Sequence, residues 1–148
     1  MKRGGIMSKI PKILGKYLFL FGIGGFIYAL IEIMFRGHTH WTMMILGGVC
    51  FIAIGLINEF LSWDIPLIAQ GIIGSVAITS LEFITGCIVN LKLGWNVWDY
   101  SDVLFNVKGQ ICLPFSVLWV FISVAAIILD DYLRYWIFHE EKPHYTIV

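Results

Sequence analysis

Four long apolar stretches dominate the chain and are separated by polar segments. They run approximately over residues 17–35, 41–60, 66–89 and 111–129. An α-helix needs about 20 mostly apolar residues to cross the hydrocarbon core of a bilayer. Each stretch therefore predicts one transmembrane helix, and the predicted fold class is all-α.

The connections between these helices indicate how they are arranged. The first two breaks, at 36–40 and 62–65, are short, whereas the third is a polar and aromatic segment over 90–110. Helices joined by so few residues must run antiparallel. We therefore expect residues 1–148 to form a single integral-membrane four-helix bundle. Residues 90–110 would form an outer loop and residues 130–148 a cytoplasmic tail.

The composition excludes a water-soluble domain and points to the lipid bilayer as a partner. Of the 148 residues, 59% are apolar and 14% are charged, and the mean hydropathy is +0.85. Soluble domains carry about a quarter charged residues. The ten Lys and Arg residues balance the ten Asp and Glu residues, so the net charge gives no attraction to nucleic acid.

The basic residues are unevenly distributed, and their positions predict the orientation of the chain. With the N-terminus inside, seven basic residues lie on the cytoplasmic side and three on the outer side, which predicts cytoplasmic N- and C-termini in the cell membrane. No small-x-small cleavage pattern follows the first apolar run, so we expect a retained signal anchor. The seven are Lys2, Arg3, Lys9, Lys12, Lys16, Arg134 and Lys142, and the three are Arg36, Lys92 and Lys108.

Two glutamates, Glu32 and Glu82, fall inside the predicted helices. An acid at the centre of a span costs roughly 2.5 to 3.5 kcal/mol, so each is a candidate for function. Small residues at steps of three and four share the helix face of each glutamate, and such residues let helices approach closely. They are Gly22, Gly25 and Ala29, with Arg36 at the end, around Glu32, and Gly71, Ser75, Thr79 and Gly86 around Glu82.

When the sequence is aligned with itself at an offset of fifty residues, the residues of these two helix faces match. The match predicts two tandem helical hairpins related by a pseudo-two-fold axis along the membrane normal. The aligned pairs are Gly24 with Gly74, Gly25 with Ser75, Ala29 with Thr79, and Glu32 with Glu82.

The sequence leaves two interpretations of Glu82 open. Glu82 can form an interhelical ion pair with Arg36 or His38, or it can belong to a site for an ion, a proton or a ligand. His38 and His40, with a glutamate nearby, form only a weak metal signal, and we expect the two histidines to make hydrogen bonds at the membrane interface. We predict no bound metal and no cofactor.

Two other polar segments stand next to the predicted spans. Residues 96–102 can lie on the membrane as a lid, or they can be an aromatic anchor whose acids cap a short helix. Asp130, Asp131 and Arg134 are expected to form a solvated helix end, in which an acid pairs with Arg134. The candidate ligand-binding residues are Glu32, Glu82, Arg36, Trp98 and Asp99.

No motif for nucleotide hydrolysis or proteolysis occurs in the chain. The patterns GxxxxGK[ST], HExxH and GxSxG are all absent from the sequence, and each supplies groups that its chemistry requires. We therefore predict that the chain is not an enzyme and has no catalytic residues. An ATP-driven role would need a separate ATPase subunit, and a homo-oligomer is a further option.

Three motifs carry a family resemblance. They are LEFITG at 81–86, WDYS at 98–101 and FNVKGQICL at 105–113, the last leading to Ser116 and Trp119. With them, the chain resembles the CmpB-like family of type IV ABC-transporter permeases over roughly residues 21–142. The resemblance implies a small polytopic bacterial membrane protein.

Two functions follow as expectations. The first is a transporter permease component with a polar intramembrane site around Glu32 and Glu82. The alternative is a non-transporting sensor, immunity or scaffold protein, in which the polar helix faces serve only to pack the helices.

Overall fold

The structure is a computed structural model that describes residues 9–147. Four of its helical segments are long and apolar enough to cross a membrane, and 71% of the structure is helical. These observations confirm the predicted all-α membrane fold. The segments are Ile10–Arg36, Trp41–Phe60, Leu67–Lys92 and Leu113–Phe138.

The helices and strands follow one another in a simple order. In chain order the helices are α1 (Ile10–Arg36), α2 (Trp41–Gly55), α3 (Ile57–Phe60), α4 (Leu67–Gly86) and α5 (Leu113–Phe138). A π-helical segment, Cys87–Lys92, continues α4. An antiparallel hairpin of β1 (Asn106–Val107) and β2 (Ile111–Cys112) precedes α5.

Two helices are longer than the apolar stretches that predicted them. α1 begins at Ile10 rather than near residue 17, and Pro11 stands in its first turn, where the missing N–H of proline costs no helical hydrogen bond. α5 continues past residue 129 and ends at Phe138, and the next residue, His139, caps the helix with a left-handed φ of 55°. Lys2 and Arg3 lie outside the described residues, and the orientation in the membrane stays a prediction.

The described residues divide into two compact units, and the division falls between Ile52 and Ala53. The first unit is a helical hairpin of α1 and most of α2. Gly37 ends α1 with a left-handed φ of 75° and donates its N–H to the carbonyl of Ile33. Glycine suits this position because it carries no Cβ penalty in that conformation.

Glycines allow α1 and α2 to pack closely. A Cβ added to Gly24 would lie 2.9 Å from the carbonyl oxygen of Gly47, and one added to Gly25 would lie 2.5 Å from that of Met44. Gly22, which the sequence placed on the same face, is instead exposed with open space around it. The buried face of α1 therefore comprises Leu20, Gly24, Gly25, Tyr28, Ala29 and Glu32.

The second unit is built on the contact between α4 and α5. A Cβ added to Gly71 would lie 2.9 Å from the carbonyl oxygen of Val120, and one added to Gly74 would lie 2.7 Å from the Cβ of Ser123. Small residues thus bring these two helices together, as they do in membrane proteins generally. The C-terminal tail joins this unit, since the carbonyl of Thr146 accepts a hydrogen bond from the N–H of Leu67.

The charged residues near the end of α5 are buried, so the prediction of a solvated helix end is wrong. Asp130, Asp131 and Arg134 are 0%, 5% and 2% exposed. The pairing of an acid with Arg134 is confirmed, because its Nε donates to Asp130 Oδ2 over 2.6 Å. Burial is possible because Gly55 has no side chain and Asp130 lies directly against it.

Substitution of the two α1 glycines tests this packing. Gly24→Ala should destabilise the protein by about 1–3 kcal/mol, because the new methyl group would overlap Phe51 and Gly47. Gly22→Ala is the matched control and should be neutral or stabilising by about 0.5–1 kcal/mol, as expected for an exposed helical position. Thermal unfolding in detergent measures both, and equal effects of the two substitutions would contradict the packing.

Candidate functional site

Glu32 is held at the end of α1 by groups of the first unit. Arg36 Nη1 donates to Glu32 Oε1 over 2.9 Å, and Thr39 Oγ1 donates to Oε2 over 3.1 Å. The pair forms because Arg36 follows Glu32 by four residues, which places both on one helix face. The structure thus brings together two of the candidate ligand-binding residues, and Glu32 is 8% exposed.

Glu82 is buried between the two long helices of the second unit. It is 3% exposed, and its Oε2 accepts a hydrogen bond from the indole N–H of Trp119 over 2.9 Å. A buried carboxylate is costly unless donors compensate for its lost hydration. Trp119 supplies such a donor from α5 to a side chain of α4.

Hydroxyl groups extend this polar contact along the helices. Ser75 Oγ donates to the carbonyl of Ser116 over 2.6 Å, and Thr79 Oγ1 donates to Ser116 Oγ over 3.1 Å. Ser75 and Thr79 share with Glu82 the helix face that the sequence identified on the third span, and Ser116 lies opposite them on α5. The α4–α5 contact therefore contains a polar seam, defined here as Ser75, Thr79, Glu82, Ser116 and Trp119. Ser75, Glu82 and Trp119 are buried, and Thr79 and Ser116 are half-buried.

The loop after α4 closes over one end of the polar seam. Trp98 is 4% exposed, and its indole N–H donates to the carbonyl of Gln110 over 2.9 Å. Asn90 Nδ2 donates to Gln110 Oε1 over 2.8 Å and Asn90 Oδ1 accepts from the N–H of Val97. A Cβ on Gly86 would lie 3.0 Å from the Trp98 ring, so the ring covers the helix one turn beyond Glu82.

Asp99 is exposed and shapes the turn of this loop. Its Oδ1 accepts hydrogen bonds from both the hydroxyl and the backbone N–H of Ser101. Both bonds hold the pKa of the Asp99 carboxyl below its usual value of 3.8, and the bond from the Ser101 hydroxyl has the larger effect. The carboxylate therefore serves as a local cap, the role that Asp commonly has in turns.

The two histidines of the first polar break have local partners. His38 Nδ1 lies 3.0 Å from the carbonyl oxygen of Arg36, and His40 Nδ1 lies 2.8 Å from Thr42 Oγ1. Among residues 9–147, no group of three His, Cys, Asp or Glu side chains is placed to hold a metal ion.

A second polar cluster surrounds the buried end of α5. Asp131 Oδ2 accepts hydrogen bonds from Asn58 Nδ2 over 2.7 Å and from the hydroxyl of Tyr145 over 2.9 Å. Arg134 Nη1 lies 3.3 Å from Glu59 Oε1. Burial is the main cause that raises the pKa of the Tyr145 hydroxyl, and the nearby Asp131 carboxylate is the second cause. The phenol therefore stays protonated at neutral pH and can donate to Asp131.

A cavity of about 450 Å³ opens within this cluster. Its walls come from three parts of the second unit: the turn after α2, the end of α5 and the C-terminal tail. We call it the polar end cavity. The lining residues are Asn58, Glu59 and Trp63, then Asp131 and Arg134, then Glu140 and Glu141.

Sequence reasoning found only part of these arrangements. The small-residue faces identified Glu32 and Glu82, but Trp119 entered only through the family resemblance, because an aromatic residue in an apolar run carries no sign of its donor role. The polar end cavity was missed. Its one signal was the spacing of Asp130 and Arg134, which fits a solvated helix end equally well.

Comparison with known proteins places the chain in a family. The family model described as "Putative ABC-transporter type IV" matches residues 11–145, which include all five candidate ligand-binding residues. The chain belongs to this family. It is accordingly a multi-pass membrane protein of an ABC-transporter family. Searches of curated proteins and of solved structures found no match.

The hydrogen bonds of Asp99 give a prediction about its titration. Ser101→Ala removes the hydroxyl donor and should move the pKa of Asp99 up, toward its usual value of 3.8. Because the folded pKa is depressed, the stability that Asp99 contributes is present above its unfolded pKa and is lost as pH falls through the folded value. A carboxyl NMR titration measures the shift. Ser62→Ala is the control, and an unchanged pKa in Ser101→Ala would contradict the assignment.

Proposed function

We propose that the chain is the membrane-embedded permease component of a transport system, with Glu82 as the central polar group of its solute site. The observation that carries the proposal is the burial of this carboxylate within the polar seam. Family membership supports a role in transport, and the absence of a P-loop motif supports a separate subunit that hydrolyses ATP.

The burial of Glu82 supports a functional role because an ionisable group inside a span is costly. Placing an acid at the centre of a membrane helix costs about 2.5 to 3.5 kcal/mol. Helix packing alone does not need this charge, since Gly71, Gly74 and Ser75 already permit the close approach of α5. The carboxylate adds something that packing does not require, namely a site for a proton, an ion or a polar solute group.

The other candidate residues enter the proposal in secondary roles. We propose that the Glu32–Arg36 pair forms a separate polar contact for solute within the first unit. Trp98 covers the end of the polar seam, and Asp99 is exposed in the same loop. We propose that this loop contributes to solute entry or retention.

The test compares Glu82→Gln with wild type in a thermal-shift screen of the purified chain in detergent. The compounds are amino acids, sugars, nucleosides and inorganic ions. At least one compound should stabilise the wild type and not Glu82→Gln, because a ligand that binds the folded state raises its stability by mass action. Ser80→Ala is the matched control, since Ser80 is exposed on the same helix and donates only to the carbonyl of Val76.

Two results would count against the proposal. A compound that stabilises Glu82→Gln as strongly as the wild type would remove Glu82 from the site. A lower melting temperature in Glu82→Gln, with no compound-specific stabilisation in any variant, would favour the alternative that the polar seam only assembles the helices.

A further inference from the structure

The loop between the third and fourth spans carries large apolar side chains on its surface. Leu104 and Phe105, which are adjacent in the chain, are 71% and 68% exposed, and Trp95 and Val107 are exposed as well. Trp98 of the same loop is buried, so the loop has a side that faces the protein and an apolar outer side. Exposed apolar surface of this kind marks a contact with lipid or with another macromolecule.

Two backbone hydrogen bonds hold this apolar side next to the ends of the spans. The N–H of Leu113, the first residue of α5, donates to the carbonyl of Phe105 over 3.2 Å. The N–H of Trp95 donates to the carbonyl of Val89 over 2.9 Å, within the π-helical segment that ends the third span. Both residues therefore lie at the level where a span ends, which is where the headgroups of a bilayer meet its hydrocarbon core.

The backbone of Phe105 gives a second reason to look for a contact outside the chain. Its φ of 55° lies in the left-handed region, which is costly for a residue with a bulky side chain. The ring offsets little of this cost by packing within the protein, since most of the residue is exposed. Burial of the ring among acyl chains would offset it.

The charges of the loop favour an apolar contact over an electrostatic one. Lys92 and Lys108 are balanced by Asp99 and Asp102, and all four residues are exposed. The loop therefore has no net attraction for an anionic surface or for a strongly charged partner. Its apolar area matches the boundary between headgroups and acyl chains, in which apolar side chains at a membrane surface are buried.

We propose that Trp95, Leu104 and Phe105 form an interfacial anchor that inserts into the headgroup–acyl boundary of the bilayer, beside the end of the third span and the start of the fourth. The occupant of this surface is phospholipid, and the contact is made with acyl chains and not with a particular headgroup. The anchor does not depend on the proposed transport function.

Photocrosslinking of the full chain in phospholipid nanodiscs tests the anchor. The photoreactive residue p-benzoylphenylalanine in place of Phe105 keeps an aromatic side chain there and bonds to the C–H groups that it touches on illumination. Mass spectrometry should detect the chain with a covalently attached phospholipid. The yield should be of the same order as with p-benzoylphenylalanine in place of Phe121, an exposed residue of α5. It should also be equal in phosphatidylcholine and in phosphatidylcholine mixed with phosphatidylglycerol.

Two further positions control for effects of the substitution itself. With p-benzoylphenylalanine in place of Asp102, an exposed polar residue of the same loop, the yield of lipid adduct should be several times lower. In place of Leu104, it leaves Phe105 and its left-handed backbone unchanged and should give the lipid adduct even if substitution of Phe105 disturbs the loop.

Three results would overturn the proposal. The first is a lipid yield at position 104 that is no higher than the yield at position 102. The second is a covalent dimer in place of the lipid adduct, which would assign this surface to a second copy of the chain. The third is crosslinking that requires phosphatidylglycerol, which would assign the contact to headgroup charge.

Discussion

The second unit depends on one constraint: a polar group inside a membrane helix must find its hydrogen-bond partner within the protein. The hydrogen bond from Trp119 to Glu82 meets this constraint for the buried carboxylate. Lipid offers no donors or acceptors to replace water. The carboxylate on α4 therefore faces the indole N–H on α5, 2.9 Å away, across the contact between the two helices. Gly71 and Gly74 then let the helices approach closely enough for the bond to form.

The same constraint organises the end of α5. Asp130 and Arg134 pair over 2.6 Å in a buried position, which is possible because Gly55 leaves room for the Asp130 side chain. The C-terminal tail covers the cluster and adds Tyr145 as a donor to Asp131. Glu59 and Glu140 also lie within ion-pair distance of Arg134, at 3.3 Å and 3.8 Å from its Nη1.

The sequence predicted the spans well because length and apolar character are properties of a continuous segment. It also identified the glutamates, since small residues at helical spacing mark a face in contact with protein. It could not identify Trp119 as the donor to Glu82, because that depends on which residue of another helix lies opposite. The sequence pattern also predicted that Asp131 is exposed to solvent, which is wrong for a related reason. The burial of Asp131 depends on Asn58 and Tyr145, and no pattern of residue spacing links Asn58, which is far away in the sequence, to Asp131.

We expect Glu82 and Trp119 to stabilise the second unit through their mutual hydrogen bond, beyond what each side chain contributes by packing independently. A double-mutant cycle with Glu82→Met and Trp119→Phe, followed by equilibrium unfolding in detergent, measures this directly. The hydrogen bond predicts a coupling free energy of about 1–2 kcal/mol, with the double variant losing less stability than the sum of the single variants. Additivity of the two substitutions within about 0.5 kcal/mol would contradict it.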